Sequence, residues 1–170
     1  MSEIAGRVRS FLEEKGVEYE QIHHDRDYTA TETAAHTHTP GKEFAKAVIV
    51  RVRDHYAMAV LPSNHVVDPE RLSAALGGAD VALASEQEFE GLCPDCESGA
   101  IPPFGNLYDL DVYVSPALTE NESITCVAGH HAEAIRLGYR DFERLVKPRV
   151  LDFSVTHHGR RQEPGVSERG

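Results

Sequence analysis

The chain is poor in several things that would each have fixed its class. It has three cysteines, an odd number, so a disulfide framework is not expected. It lacks any apolar run near the roughly 20 residues of a membrane-spanning helix. The first residues, MSEIAGRVRSFLEEKG, are charged throughout and read as neither a signal peptide nor a transit sequence. There is no phosphate-binding loop, no dinucleotide fingerprint and no HExxH pair. Basic residues are scarce: 17 Lys and Arg stand against 28 Asp and Glu, a net charge of -11. Such a surface argues against non-specific coating of nucleic acid, DNA included, though not against a grip on one exposed RNA end. A reducing cytoplasm and a monomer are the simplest expectations.

What is present suits one globular domain. At 170 residues the chain can bury a real core. Charge is uneven: Glu86, Glu88, Glu90, Asp95 and Glu97 form an acidic stretch, while Arg136, Arg140, Arg144, Lys147 and Arg149 form a locally basic one. The latter reads as a solvated helix face.

Ile4, Val8, Phe11 and Leu12 make one helical stripe, closed by Gly16. Residues 17–23 alternate loosely and predict a short strand. Thr29 to Glu32 is a capping box opening a short helix. Residues 45–52 and 56–61 predict a hairpin of buried strands around Arg53-Asp54-His55. Asp68 and Pro69 open a helix that Gly77-Gly78 stops. Residues 81–84 predict a strand, and Ser85 and Glu88 form a second capping box. Residues 110–114 and 123–128 predict strands joined by a turn, 132–137 a further strand, and 139–146 an amphipathic helix. A disordered tail is expected from Ser154. Strands outnumber helices and most connections are short. The predicted class is α+β: a mixed, mostly antiparallel, partly barrel-like sheet surrounded by short helices. The domain is expected over residues 1–153, with 154–170 as the tail.

Two segments carry candidate chemistry. Gly99-Ala100-Ile101-Pro102-Pro103-Phe104-Gly105 is a stiff loop. Proline fixes its own φ and lacks an N–H, and glycine permits close approach of a ligand to the main chain. The remaining amides of such a loop could hold a carbonyl or a water. The second segment is GKEFAKAVIV, residues 41–50. There Lys46 stands at the mouth of a buried strand. A lysine so placed either snorkels to water or meets an anion, for which its ammonium is a suitable point charge.

These segments, with LPSNHVVDPERL, FEGLCPDCESGAIPPFGN and CVAGHHAEAIRL, resemble the YbaK/prolyl-tRNA-synthetase-associated domain family. The resemblance spans about residues 3–150 in the same order. Its specific parts are the lysine segment and the Gly-x-x-x-Pro-x-Gly loop. No synthetase domain accompanies them, so the chain resembles the free-standing aminoacyl-tRNA deacylases that edit in trans. The resemblance implies ester hydrolysis of a mischarged small amino acid from the 3′ end of a tRNA, tRNA for proline first, with a synthetase as a further partner. It assigns catalytic roles to Lys46, Gly99, Ala100, Gly105 and His131. Lys46 would hold the terminal phosphate or ribose, and the loop amides would polarise the ester. His131, from Gly129-His130-His131, would orient water or meet the substrate amine. Tyr28, Thr29, Ala47, Pro103 and Phe104 would shape the substrate pocket. No cofactor is implied. A non-catalytic binding module of the same fold is the alternative, and a hydrolase of another small amino-acid ester a third reading.

Cys93-Pro94-Asp95-Cys96 could form half a zinc site or a redox pair, but Cys126 stands alone, there is no second pair, and His36 and His38 could complete a site only through the fold. The pair reads as packing beside the loop. Purified protein is therefore expected to carry no stoichiometric zinc; one equivalent by metal analysis would reverse this assignment.

Overall fold

The computed structural model describes residues 6–23, 40–92, 96, 100–129 and 133–156. The expected helix at Thr29–Glu32 lies outside them. In chain order, α1 (Gly6–Glu14) and β1 (Glu20–His23) precede a 3-10 turn (Gly41–Glu43), β2 (Ala45–Val52), β3 (His55–Pro62) and β4 (His65–Val67). Next come α2 (Pro69–Ala75), β5 (Val81–Leu83), α3 (Glu86–Glu90), a second 3-10 turn (Gly105–Tyr108) and β6 (Asp111–Val114). The chain continues through α4 (Pro116–Thr119), β7 (Ser123–Val127), β8 (Glu133–Gly138), α5 (Tyr139–Val146), β9 (Arg149–Val150) and β10 (Ser154–Thr156).

The hairpin β2–β3 is the spine. It pairs antiparallel from Ala45↔Pro62 to Val52↔His55. β5 adds antiparallel to β2, and β6 adds parallel to β3, followed by β9, giving the five-stranded order β5-β2-β3-β6-β9. A three-stranded antiparallel sheet, β1-β8-β7, lies beside it. One parallel bridge, Phe44 to Thr125, joins the two sheets. The mixed, mostly antiparallel α+β arrangement with short helices is the one the sequence predicts.

Both faces of the hairpin are covered. Ala45, Ile49, Met58 and Val60 enter a core shared with Ile124, Cys126, Ile135 and Leu137 of the three-stranded sheet, and with Leu12, Phe104 and Phe142. Val50, Ala57, Ala59 and Leu61 face a second cluster with Leu72 and Phe153. A strand buried on both sides reads as an apolar run rather than an alternation, which is why residues 45–52 and 56–61 were legible.

Local rules hold where they were read. The Asp68 side chain accepts from the Glu70 and Arg71 N–H groups, with Pro69 at the first helical position. Gly77 and Gly78 both take positive φ. In the second capping box the Ser85 N–H donates to Glu88 Oε1 at 2.7 Å, and the Glu88 N–H to Ser85 Oγ at 3.2 Å.

Two readings need correction. The connection after β6 holds a one-turn helix, α4, whose N-terminus Ser115 caps by accepting from the Ala117 N–H. β4 and β9 are too short to show a pattern. The segment at Ser154 is β10, paired antiparallel with β4 through Ser154↔Val67, so ordered structure reaches Thr156. Phe153, fully buried in the second core, anchors it.

Gly105 is a steric requirement rather than a turn preference. A Cβ there would lie 2.7 Å from Val112 Cγ2 and 3.3 Å from Met58 Cβ. Gly105→Ala is expected to destabilise the fold by about 1–3 kcal/mol, the cost of overpacking, read as a lower denaturation midpoint at unchanged m.

Candidate active site

The lysine segment is held by main chain. The buried Ser63 donates its N–H to the Phe44 carbonyl at 2.7 Å and to the Gly41 carbonyl at 3.2 Å. Its hydroxyl also donates to the Gly41 carbonyl at 3.2 Å. Asn121 Nδ2 donates to the Lys42 carbonyl at 2.8 Å. These bonds fix how the chain leaves the 3-10 turn and enters β2, with Lys46 as the second residue of the strand.

Strand periodicity then assigns faces. Ala45 and Ile49 belong to the large core, against which Ala47 also packs. Lys46 emerges on the other face, directly opposite Leu61. It is half-buried, and its ammonium donates to the Ser63 carbonyl at 3.5 Å. Among the described residues no carboxylate pairs with it. Burial therefore lowers its pKa from the ordinary 10.5 without an opposing anion. A buried cation with one long hydrogen bond is poorly compensated.

The proline loop reaches this segment through Phe44. The Phe44 ring is fully buried and packs with Ala100 and Val127. The Ala100 carbonyl accepts from the Gly129 N–H at 3.0 Å, tying the loop to the end of β7. Residues 100–105 are buried throughout. Phe104 packs edge-on to Phe11, ring centroids 6.3 Å apart, and against Phe142 at 5.9 Å. The N–H groups of Ala100, Ile101, Phe104 and Gly105 find no acceptor among the described residues.

The expected site residues therefore divide. Lys46 and Ala100 stand on segments joined by one buried ring. Ala47 is turned into the large core, on the face away from Lys46, because adjacent strand residues point oppositely. Phe104 is fully buried in the same core, and Gly105 fills a space that Val112 and Met58 deny to a side chain. Pro103 is buried within the loop. Tyr28, Thr29, Gly99 and His131 lie outside the described residues, as does Cys93. Phe44, Ser63 and Asn121 were not singled out from the sequence. The signal for Phe44 was its place two residues before Lys46, on the same strand face; hydrogen bonds over 17 or more residues left none for the other two.

Cys96 Sγ lies 3.3 Å from the Tyr108 hydroxyl. Cys126 is fully buried, and burial pushes its thiol far above the ordinary range, so it is a packing residue. No group of three or more metal-ligating side chains occurs among the described residues, and none of the described helices is long and apolar enough to cross a membrane. Two surface concavities, of about 780 and 410 Å³, lie elsewhere: the first between Asn121 and Tyr139, the second between Glu70 and Asp80.

The family model of the aminoacyl-tRNA editing domain matches residues 24–145. Among solved structures, one described as a candidate trans-editing enzyme for prolyl tRNA synthetase superposes with a TM-score of 0.77 at 19% identity, covering 91% of this chain and 99% of its own. The hypothetical protein APE2540 gives 0.79 at 19% identity, covering 88% and 99%. A candidate signal transduction protein from Marinobacter aquaeolei gives 0.68 at 18% identity, with 88% of this chain matched to 30% of that longer one. At these identities the structures establish the fold. No curated protein matches the sequence significantly.

The exposed cost of Lys46 is measurable. Between its lowered folded-state pKa and 10.5 the unfolded chain binds more protons than the folded one, so this residue's contribution to stability rises with pH across that window. Below the window its burial penalty is present in full. Lys46→Met is expected to raise the Tm at pH 7, and the gain to shrink as pH approaches 10.5. A lower Tm at pH 7 would show that the ammonium is compensated after all.

Proposed function

The chain belongs to the aminoacyl-tRNA editing domain family, and from that membership we propose that it hydrolyses the ester joining a wrong, small amino acid to the terminal adenosine of a tRNA. Proline tRNA is the first candidate, since a structural relative is described as a trans-editing enzyme for prolyl tRNA synthetase. Alanine, cysteine, serine and threonine are the amino acids to test.

The observation that supports this reading is the poorly compensated ammonium of Lys46, two residues along the strand from Phe44, which clusters with Ala100 of the loop. An aminoacyl-tRNA end supplies what each part lacks. Its terminal phosphate or ribose gives the ammonium an anion or acceptor. Its ester carbonyl gives the loop amides an oxygen to polarise. Water attacks the carbonyl carbon, the tetrahedral oxyanion is held by amides fixed in advance, and the bond to the ribose oxygen breaks. One water proton passes to the departing ribose oxygen and the other to solvent, so the ribose leaves as its hydroxyl and the amino acid as its carboxylate. One such oxyanion donor is commonly worth about 2.7–4 kcal/mol. His131 is proposed to orient the water or contact the substrate amine. No serine or cysteine nucleophile is needed, because the ester is already activated.

The acidic net charge fits a partner gripped at one end rather than along its length. Incubation with tRNAs separately mischarged with the four amino acids is expected to release at least one of them. Lys46→Ala is expected to slow that release about 100-fold, the scale of one charge-assisted contact of roughly 3 kcal/mol. Binding of the tRNA end with no release on any substrate would favour a non-catalytic module. Release from simple aminoacyl esters but not from tRNA would favour a different hydrolase.

A further inference from the structure

The residue that organises this site is not one the reaction would touch. Ser63 is fully buried at the turn after β3, 17 residues from Lys46. It makes four contacts to the lysine segment. Its N–H donates to the Phe44 and Gly41 carbonyls, its hydroxyl donates to the Gly41 carbonyl, and its own carbonyl accepts from Lys46 Nζ. Gly41 is pressed against it: a Cβ there would lie 3.4 Å from Ser63 Oγ and 3.3 Å from Asn64 Cβ.

We propose that Ser63 is a positioning residue that aims the Lys46 ammonium and fixes the spacing between it and the proline loop. Two separate paths support this. Through its carbonyl, Ser63 gives the ammonium its one acceptor among the described residues. Through its N–H it clamps the Phe44 backbone, and the Phe44 ring is what meets Ala100. One buried residue, through its main chain, thus sets both the cation and the support of the loop. The hydroxyl matters because it locks the Gly41 carbonyl, so that the turn cannot drift from Pro62 and the end of β3. Without that lock the turn loosens and water reaches Lys46.

The inference rests on the deacylase reading for its catalytic consequence, but its physical content is testable without activity. Lysines labelled with carbon-13 at the ε position are followed by NMR through a pH titration, with Lys46 assigned by its loss in Lys46→Ala. In Ser63→Ala the Lys46 resonance is expected to titrate at higher pH than in the parent, nearer the ordinary lysine value. An unchanged titration in folded Ser63→Ala overturns the proposal. Should Ser63→Ala fail to fold, Gly41→Ala strains the same contact more gently, and the same upward shift is expected; its absence there overturns the proposal equally.

For a protein active on a mischarged tRNA, Ser63→Ala is expected to lower kcat/KM about 10- to 100-fold, the scale of a displacement near 1 Å. The same change made in Lys46→Ala is expected to cost less than about twofold, because a residue acting through Lys46 has nothing left to position. Additive losses in the double variant would make Ser63 a general structural residue. If no tRNA is deacylated, the functional reading fails, while the NMR titration still decides the positioning role.

Discussion

The site depends on one apolar contact, the Phe44 ring against Ala100 and Val127. Lys46 and Ala100 are 54 positions apart in the chain, and no hydrogen bond among the described residues links their two segments directly. The ring spans that gap from the mouth of β2. Because strand side chains alternate, fixing Phe44 on one face places Lys46 on the same face two residues on. A non-directional contact thereby sets a directional one: hydrophobic burial decides where the cation stands, and its hydrogen bond to the Ser63 carbonyl is proposed to decide where it points.

The proline loop is better described as part of the core than as a surface connector. Its residues from Ala100 to Gly105 are buried, Phe104 packs with Phe11 and Phe142, and Gly105 touches β3 and β6 where no Cβ fits. Loops in compact domains usually run over the surface, since buried main chain must satisfy its polar groups. Here two prolines remove two N–H groups outright, which lowers that demand. The amides that remain are held by packing on several sides, so they would meet a developing oxyanion without reorganising. Rigidity of this kind comes from the same phenylalanine cluster that stabilises the domain.

Much of this was legible because it is local. Capping at Asp68 and Ser85, the glycine stop after α2 and the apolar hairpin strands depend on neighbours within a few residues, and the sequence states them openly. The amphipathic pattern of Tyr139–Val146 likewise reads directly as α5. The partner of β10 was not legible, because Ser154-Val155-Thr156 is too short for periodicity and gains its place only from β4 and the buried Phe153. Placing Ala47 beside Lys46 in one pocket set family expectation above strand geometry; period two alone separates them. Ser63 and Asn121 escaped for a different reason. Their role is to close hydrogen bonds on Gly41, Phe44 and Lys42, and a serine or asparagine in a turn looks the same whether it does so or not.

An acidic protein that handles RNA must concentrate its attraction rather than spread it. With a net charge of -11 the far field repels a polyanion, and salt screens that field within about 10 Å at 0.1 M. A half-buried ammonium escapes much of the screening, and its attraction for an anion grows as water is excluded. The burial that weakens Lys46 as a base in the free protein would therefore strengthen it as an anchor for the anion of the proposed substrate. Occupancy should favour the charged form again, so that the cost carried by the empty site is returned only to a ligand that places negative charge beside Ser63 and Phe44. Under the proposed function such a site would favour the end of a strand over its middle, because an end can lose its water more completely.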